Sequence, residues 1–154
     1  MKAKLILLTL AVFFLNAVVA SADSPHMGTW KLNEAKSHFH KGASKNNTVV
    51  YEAAGDQVKV TVDGVDGSGS PTHNEWTGKF NGKYYALTGS PTGDMRSYTK
   101  VNSRTLSIHE TKGGKVVLTG TITVARNGKS RTVRATAKNP QDKWTTNTAV
   151  YDKQ

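Results

Sequence analysis

The sequence predicts an all-β protein, an antiparallel up-and-down β-barrel of about eight to ten strands. Three observations carry that expectation. Past Asp23 no stretch spaces its apolar residues as a helix would, whereas apolar and polar residues alternate at period two in run after run. Turn signals separate the runs about every 8 to 12 residues. The connections are so short that successive strands must be antiparallel neighbours, and such a sheet leaves two bare edges unless it closes on itself.

The expected strands lie near 28–33, 46–54, 57–63, 73–80, 83–88, 94–101, 104–111, 115–125, 130–138 and 143–152. Asn81-Gly82, Gly113-Gly114 and Asn127-Gly128 read as type I′ hairpin turns, because these residue types tolerate the positive φ that such turns require. Ala54-Gly55-Asp56 and Val101-Asn102-Ser103-Arg104 are further tight connections, and Ser90-Pro91-Thr92-Gly93-Asp94 is a turn before the sixth run. The long irregular pieces are 34–45 and 64–72, the second a mobile surface loop by composition. The inward face is expected to hold Val49, Tyr51 and Ala53; Val58, Val60 and Val62; Trp76, Gly78 and Phe80; Val116, Leu118, Ile122 and Val124; and Val133, Ala135 and Ala137. In the seventh run Leu106 and Ile108 compete with Ser107 and His109 for that face.

Residues 1–22 read as a secretory signal peptide: Lys2 and Lys4, an apolar run from Leu5 to Ala20, then Ala20-Ser21-Ala22 as a small-residue cleavage site. The run is shorter than the roughly 20 residues that span a bilayer, so no transmembrane anchor is expected. Residues 23–154 then form one exported domain, periplasmic or extracellular. With no cysteine in the chain, strand pairing and packing must supply its stability without disulfides or a lipidated thiol. The formal net charge of +10 favours acidic partners. Its Lys and Arg residues are scattered, however, and no motif of nucleic-acid recognition appears.

Gly28-Thr29-Trp30-Lys31-Leu32-Asn33 resembles the G-x-W opening strand of lipocalins and the G-T-W-K-L opening of fatty-acid-binding proteins, and Thr148 to Gln154 resembles the last strand of the latter. The whole segment after the leader is similar to a family of small secreted bacterial proteins of unassigned function with a lipocalin-like domain. The resemblance implies a barrel whose Trp30 plugs one end. It also implies an R-x-Y pair on the last strand gripping a ligand carboxylate, but the matching residues here are Ala149 and Tyr151. The carboxylate clamp is half missing, with Arg134 on the neighbouring run as the expected replacement.

The chemistry-bearing residues favour binding over catalysis. There is no G-x-S-x-G elbow, H-E-x-x-H helix or Gly-rich phosphate loop, so neither an enzyme nor a cofactor is expected. His38 and His40 alternate on one side of an extended segment, too few for a metal site without a third ligand; a haem at His109 is a weaker reading still. The first expectation is a binding module that holds a small apolar or amphipathic molecule, with Trp30, Trp76, Phe80, Tyr85, Tyr98, Arg134, Trp144 and Tyr151 lining the site. The alternative is an interaction protein whose basic exterior, through Lys79, Lys83, Arg96, Lys100, Arg131 and Arg134, docks on an anionic envelope polymer or acidic partner.

Overall fold

The computed structural model describes residues 24–139 and 141–154; the leader predicted for residues 1–22 lies outside the described residues. Ten strands alternate direction: β1 (Gly28–Leu32), β2 (Lys45–Ala54), β3 (Gln57–Val65), β4 (Pro71–Gly78), β5 (Tyr85–Thr88), β6 (Met95–Asn102), β7 (Thr105–Lys112), β8 (Lys115–Val124), β9 (Ser130–Lys138) and β10 (Trp144–Lys153). Each pairs with the next, and β1 also pairs with β10, so the sheet is a closed antiparallel barrel. Closure removes the two free edges that an open sheet of ten strands would present.

The strands follow the alternation in the sequence. Val58, Val60 and Val62 point inward at 1, 0 and 3 % exposure while Lys59 and Thr61 face out, and the same rule resolves β7, where Leu106 and Ile108 are buried and Glu110 joins them. Ala53 and Val116 depart from the expected inward face. Val116 is exposed because the β7–β8 register shifts between Glu110 and Thr111; such a bulge reverses the faces on one side of it.

The turns differ in type from the expectation at two of three places. Gly113 and Gly114 both have positive φ, 56° and 76°, and close the β7–β8 hairpin as a I′ turn does. Asn81 and Asn127 do not, since Asp142 is the one non-glycine residue with positive φ among the described residues. Their side chains act instead: Oδ1 of Asn81 accepts from the Lys83 amide and Oδ1 of Asn127 from the Lys129 amide, the asparagine-capped turn. Residues 79–84 accordingly form a longer connection that lies against β6, with the Gly82 amide donating to the Tyr98 carbonyl and the Lys100 amide to that of Phe80. The 64–72 loop is also shorter than read, because β3 and β4 run on to Val65 and from Pro71. The remaining five residues are tied down by Asp66, whose carboxylate accepts from the Ser68 and Ser70 amides and the Ser68 hydroxyl.

One end of the barrel is plugged. Trp30 is fully buried and its Nε1 donates to the His26 carbonyl at 2.8 Å, which holds the 24–27 segment across that end. Above it Trp76 packs edge-on to Tyr98 and Tyr85, at centroid distances of 4.8 and 5.7 Å, and parallel to Phe80 at 6.4 Å. Gly78 leaves room for this cluster: a Cβ there would stand 2.5 Å from the Tyr85 ring and 2.6 Å from that of Trp76. Gly78→Ala is therefore expected to lower the free energy of unfolding by about 1–3 kcal/mol, the usual cost of overpacking a dense core, which chemical denaturation followed by tryptophan fluorescence would measure.

Candidate functional site

Two arginines project into the barrel, each the second residue of its strand. Arg96 of β6 faces Glu110 of β7 directly across the ladder. Its Nε and Nη2 lie 2.7 and 2.6 Å from Oε1 of Glu110, and Nη2 donates to Oδ1 of Asn74 at 3.2 Å. Both members are about 5 % exposed. Burial works against the charge on Arg96, yet Tyr98 and Glu110 beside it hold its pKa above the usual arginine value. The pair is internally compensated, although Nη1 of Arg96 has no hydrogen-bond partner.

Arg131 of β9 has no such compensation. It is 2 % exposed, its Nε and Nη1 have no hydrogen-bond partner, and it belongs to none of the ion pairs among the described residues. Three ring faces enclose its guanidinium instead: Trp30 at 4.8 Å, Tyr51 at 4.9 Å and Tyr151 at 5.0 Å. Each such contact offsets about 0.5–2 kcal/mol. An ion removed from water costs several kcal/mol even after relaxation. The rings hold the charge in place without neutralising it.

A cavity of about 80 Å³ opens beside this guanidinium, lined by the polar Tyr51, Arg96, Tyr98, Glu110, Arg131 and Tyr151 and by the apolar Val49, Val62, Ile108, Leu118, Ile122, Val133 and Ala135. Asn46, at the exposed start of β2, marks its mouth at the end opposite Trp30. Burial raises the phenol pKa of Tyr98, and it pushes that of Tyr151 up to about 12 against the pull of Arg131. Both phenols therefore keep their protons at neutral pH and can donate. The cavity thus presents the unpaired Arg131 cation and O–H donors, and the carboxylate in its lining, Glu110, is already bound to Arg96.

Of the residues expected to line a site, Tyr98 and Tyr151 do so. Trp30, Trp76 and Tyr85 are packed into the hydrophobic core, and Phe80 lines a separate recess at the plugged end. Arg134 and Trp144 are corrections. Arg134 alternates with the inward Val133 and Ala135 and so faces water, and Trp144 is 49 % exposed, with Lys138 over its ring at 5.9 Å. The charge that the last strand lacks comes instead from Arg131, which stands directly opposite Tyr151 in the register. Of the six residues expected to form a basic exterior, Arg96 and Arg131 are inside the barrel instead, while Lys79, Lys83, Lys100 and Arg134 are exposed. His109 faces outward between Ser97 and Thr119, away from the cavity. Arg96, Glu110, Tyr51 and Arg131 were missed, though two-residue steps back from Tyr98 and Val133 lead straight to the arginines.

No family model matches this chain, and no curated protein matches it either. Among solved structures it is similar to EF1p2_mFAP2b bound to DFHBI, at 11 % identity and TM-score 0.49 over 87 % of this chain and 98 % of that one. It is also similar to a redesigned β-barrel, b11L5F_LGL, at 10 % identity and TM-score 0.49 over 90 % and 99 %. Neither likeness bears on what the interior of this chain holds.

Below Trp30, His26 is 1 % exposed with both ring nitrogens unpartnered. Burial first, then the nearby charges of Arg131, Lys100 and Lys153, bring its pKa down to about 4. The unfolded chain therefore binds a proton that the folded one refuses between pH 6.5 and 4. Stability should be full above about pH 6.5 and fall by on the order of 3 kcal/mol by pH 4. Denaturation across that range, with His26→Gln as comparison, would reveal the slope; an equal slope in the variant would assign the loss to other groups.

Proposed function

We propose that this protein is an exported, non-enzymatic binding protein that takes a small amphipathic monoanion into its barrel, with the carboxylate at Arg131 and a short apolar tail toward Asn46. The observation that carries the reading is the uncompensated Arg131 guanidinium at the blind end of an apolar-walled cavity. An anion there would meet the Arg131 guanidinium, accept from the Tyr51 and Tyr151 hydroxyls, and cancel the surplus buried charge. Hydrogen bonds to charged groups are worth about 1.5–3 kcal/mol each. The apolar walls supply the rest of the affinity by burial.

The cavity also limits size. Sites for drug-sized molecules usually enclose about 300–1,000 Å³, whereas this one holds about 80 Å³. That volume suits a short-chain carboxylate and leaves no room for a retinoid, haem or long fatty acid without repacking Leu118, Ile122 and Val133. Binding inside the barrel should also respond weakly to salt, since buried pairs are screened less than exposed ones.

Calorimetric titration with a series of straight-chain carboxylates from acetate upward tests the reading. Affinity should rise with the first few methylenes and then collapse when the chain outgrows the cavity. Arg131→Met should weaken binding on the order of 100-fold while raising the unfolding temperature, because removing an unpaired buried charge is stabilising. Arg134→Met should leave both unchanged. Undiminished binding by Arg131→Met would overturn the reading.

A further inference from the structure

The tripeptide Asn-Gly-Lys occurs twice, as Asn81-Gly82-Lys83 between β4 and β5 and as Asn127-Gly128-Lys129 between β8 and β9. No other asparagine in the chain is followed by glycine. The pairing matters chemically, because glycine has no Cβ to keep its amide nitrogen away from the preceding side chain. That nitrogen can attack Cγ of the asparagine. The new N–Cγ bond closes a succinimide ring, the Cγ–Nδ2 bond breaks, and the side-chain nitrogen leaves as ammonia with the proton of the glycine amide. Water then opens the ring to aspartate or isoaspartate.

The two turns are alike in what their local sequence supplies. Both asparagines are exposed, and each Oδ1 accepts from the lysine amide two residues on, at 3.1 and 3.0 Å. Such a donor favours ring closure, which gathers negative charge on Oδ1. Both glycines have positive φ, 78° and 70°. Basic residues flank each site, Lys79 and Lys83 at one and Arg126 and Lys129 at the other, so charge does not separate them.

The fold does. Asn81 is bridged to Thr99 of β6, the Gly82 amide donates to the Tyr98 carbonyl of that strand at 2.9 Å, and Nδ2 of Asn81 donates to the Tyr85 hydroxyl at 3.2 Å. Attack at this site requires the connection to leave the barrel wall. A Cβ at Gly82 would stand 3.0 Å from Oγ1 of Thr99, whereas nothing lies within 4 Å of one at Gly128. The Gly128 amide is also bonded, but to the Ala125 carbonyl of its own turn at 2.9 Å, and Nδ2 of Asn127 has no hydrogen-bond partner among the described residues. The Ala125 amide bonds the Ser130 carbonyl behind it. This turn can therefore open locally while its strands stay paired.

We propose that Asn127 is a site of spontaneous deamidation in the folded protein, and that packing against β6 protects Asn81. The product places a carboxylate between Arg126 and Lys129, in a connection that otherwise holds no acid. Its isoaspartate form also lengthens the main chain of the turn by a methylene. Neither asparagine belongs to the interior anion site, so either reading can fail without the other.

Peptide mapping by mass spectrometry after incubation at mildly alkaline pH tests the proposal, with a protease that spares Arg126 and Lys129. In the folded protein residue 127 should convert on the order of tenfold faster than residue 81, whose additional hydrogen bonds must break first. In denaturant the two identical tripeptides should convert at similar rates. Equal rates in the folded protein, or a faster rate at Asn81, would overturn the proposal. So would an Asn127 that stays intact in the folded protein while the denatured chain converts. A bias that persists in denaturant would overturn it too, by assigning the difference to flanking residues instead of the fold.

Discussion

The indole of Trp30 stands where the sheet closes on itself, and most of the interior is organised around it. β1 is only five residues long, yet it must pair with β10 on one side and β2 on the other, and Trp30 takes part in both ladders. Its Nε1 fixes the His26 carbonyl, Arg131 lies over the ring at 4.8 Å and the Lys153 ammonium is 5.2 Å from it. One side chain therefore closes the barrel, seals one end and positions the buried cation. A smaller residue there would open a cavity below Arg131 and release the 24–27 segment at once, so the closure of the fold and the geometry of the site cannot be separated.

Much of the fold was legible because a β-barrel is written at one period. Ten alternating runs became ten strands, and short connections forced their order. The errors arose where a side chain or a bulge competed with that period. Asn81 and Asn127 were read for their tolerance of positive φ, but their Oδ1 atoms cap the turns and leave the backbone in ordinary conformations. Val116 was assigned by counting in twos, and the bulge beside it cannot be counted from the sequence.

The site was harder to read, for a different reason. Strand alternation places Arg131 on the same face as Val133 and Ala135, and Arg96 on the same face as Tyr98. Yet hydrophobicity argues that a charged residue at a strand's start belongs outside, since Arg is almost never fully buried unless paired. The sequence reading took Arg134, the outward neighbour, as the replacement for the missing R-x-Y arginine and left Arg131 on the exterior. The period was right and the composition rule failed at Arg131. The compensating features, three aromatic rings from β1, β2 and β10, come from strands brought together only by closure.

This contrast between the two interior arginines separates a structural charge from one available to a ligand. Arg96 and Glu110 were placed opposite each other by register, with Asn74 on a third strand, and together they form a closed account of charge across β4, β6 and β7. Nothing further is needed to keep them buried. Arg131 has the burial without the counter-ion, and the rings around it cannot accept its protons as a carboxylate does. A leucine or methionine would fill the same space at lower cost. On the proposed reading the missing counter-ion is an anion from outside the chain, and the apolar walls between Arg131 and Asn46 are its route.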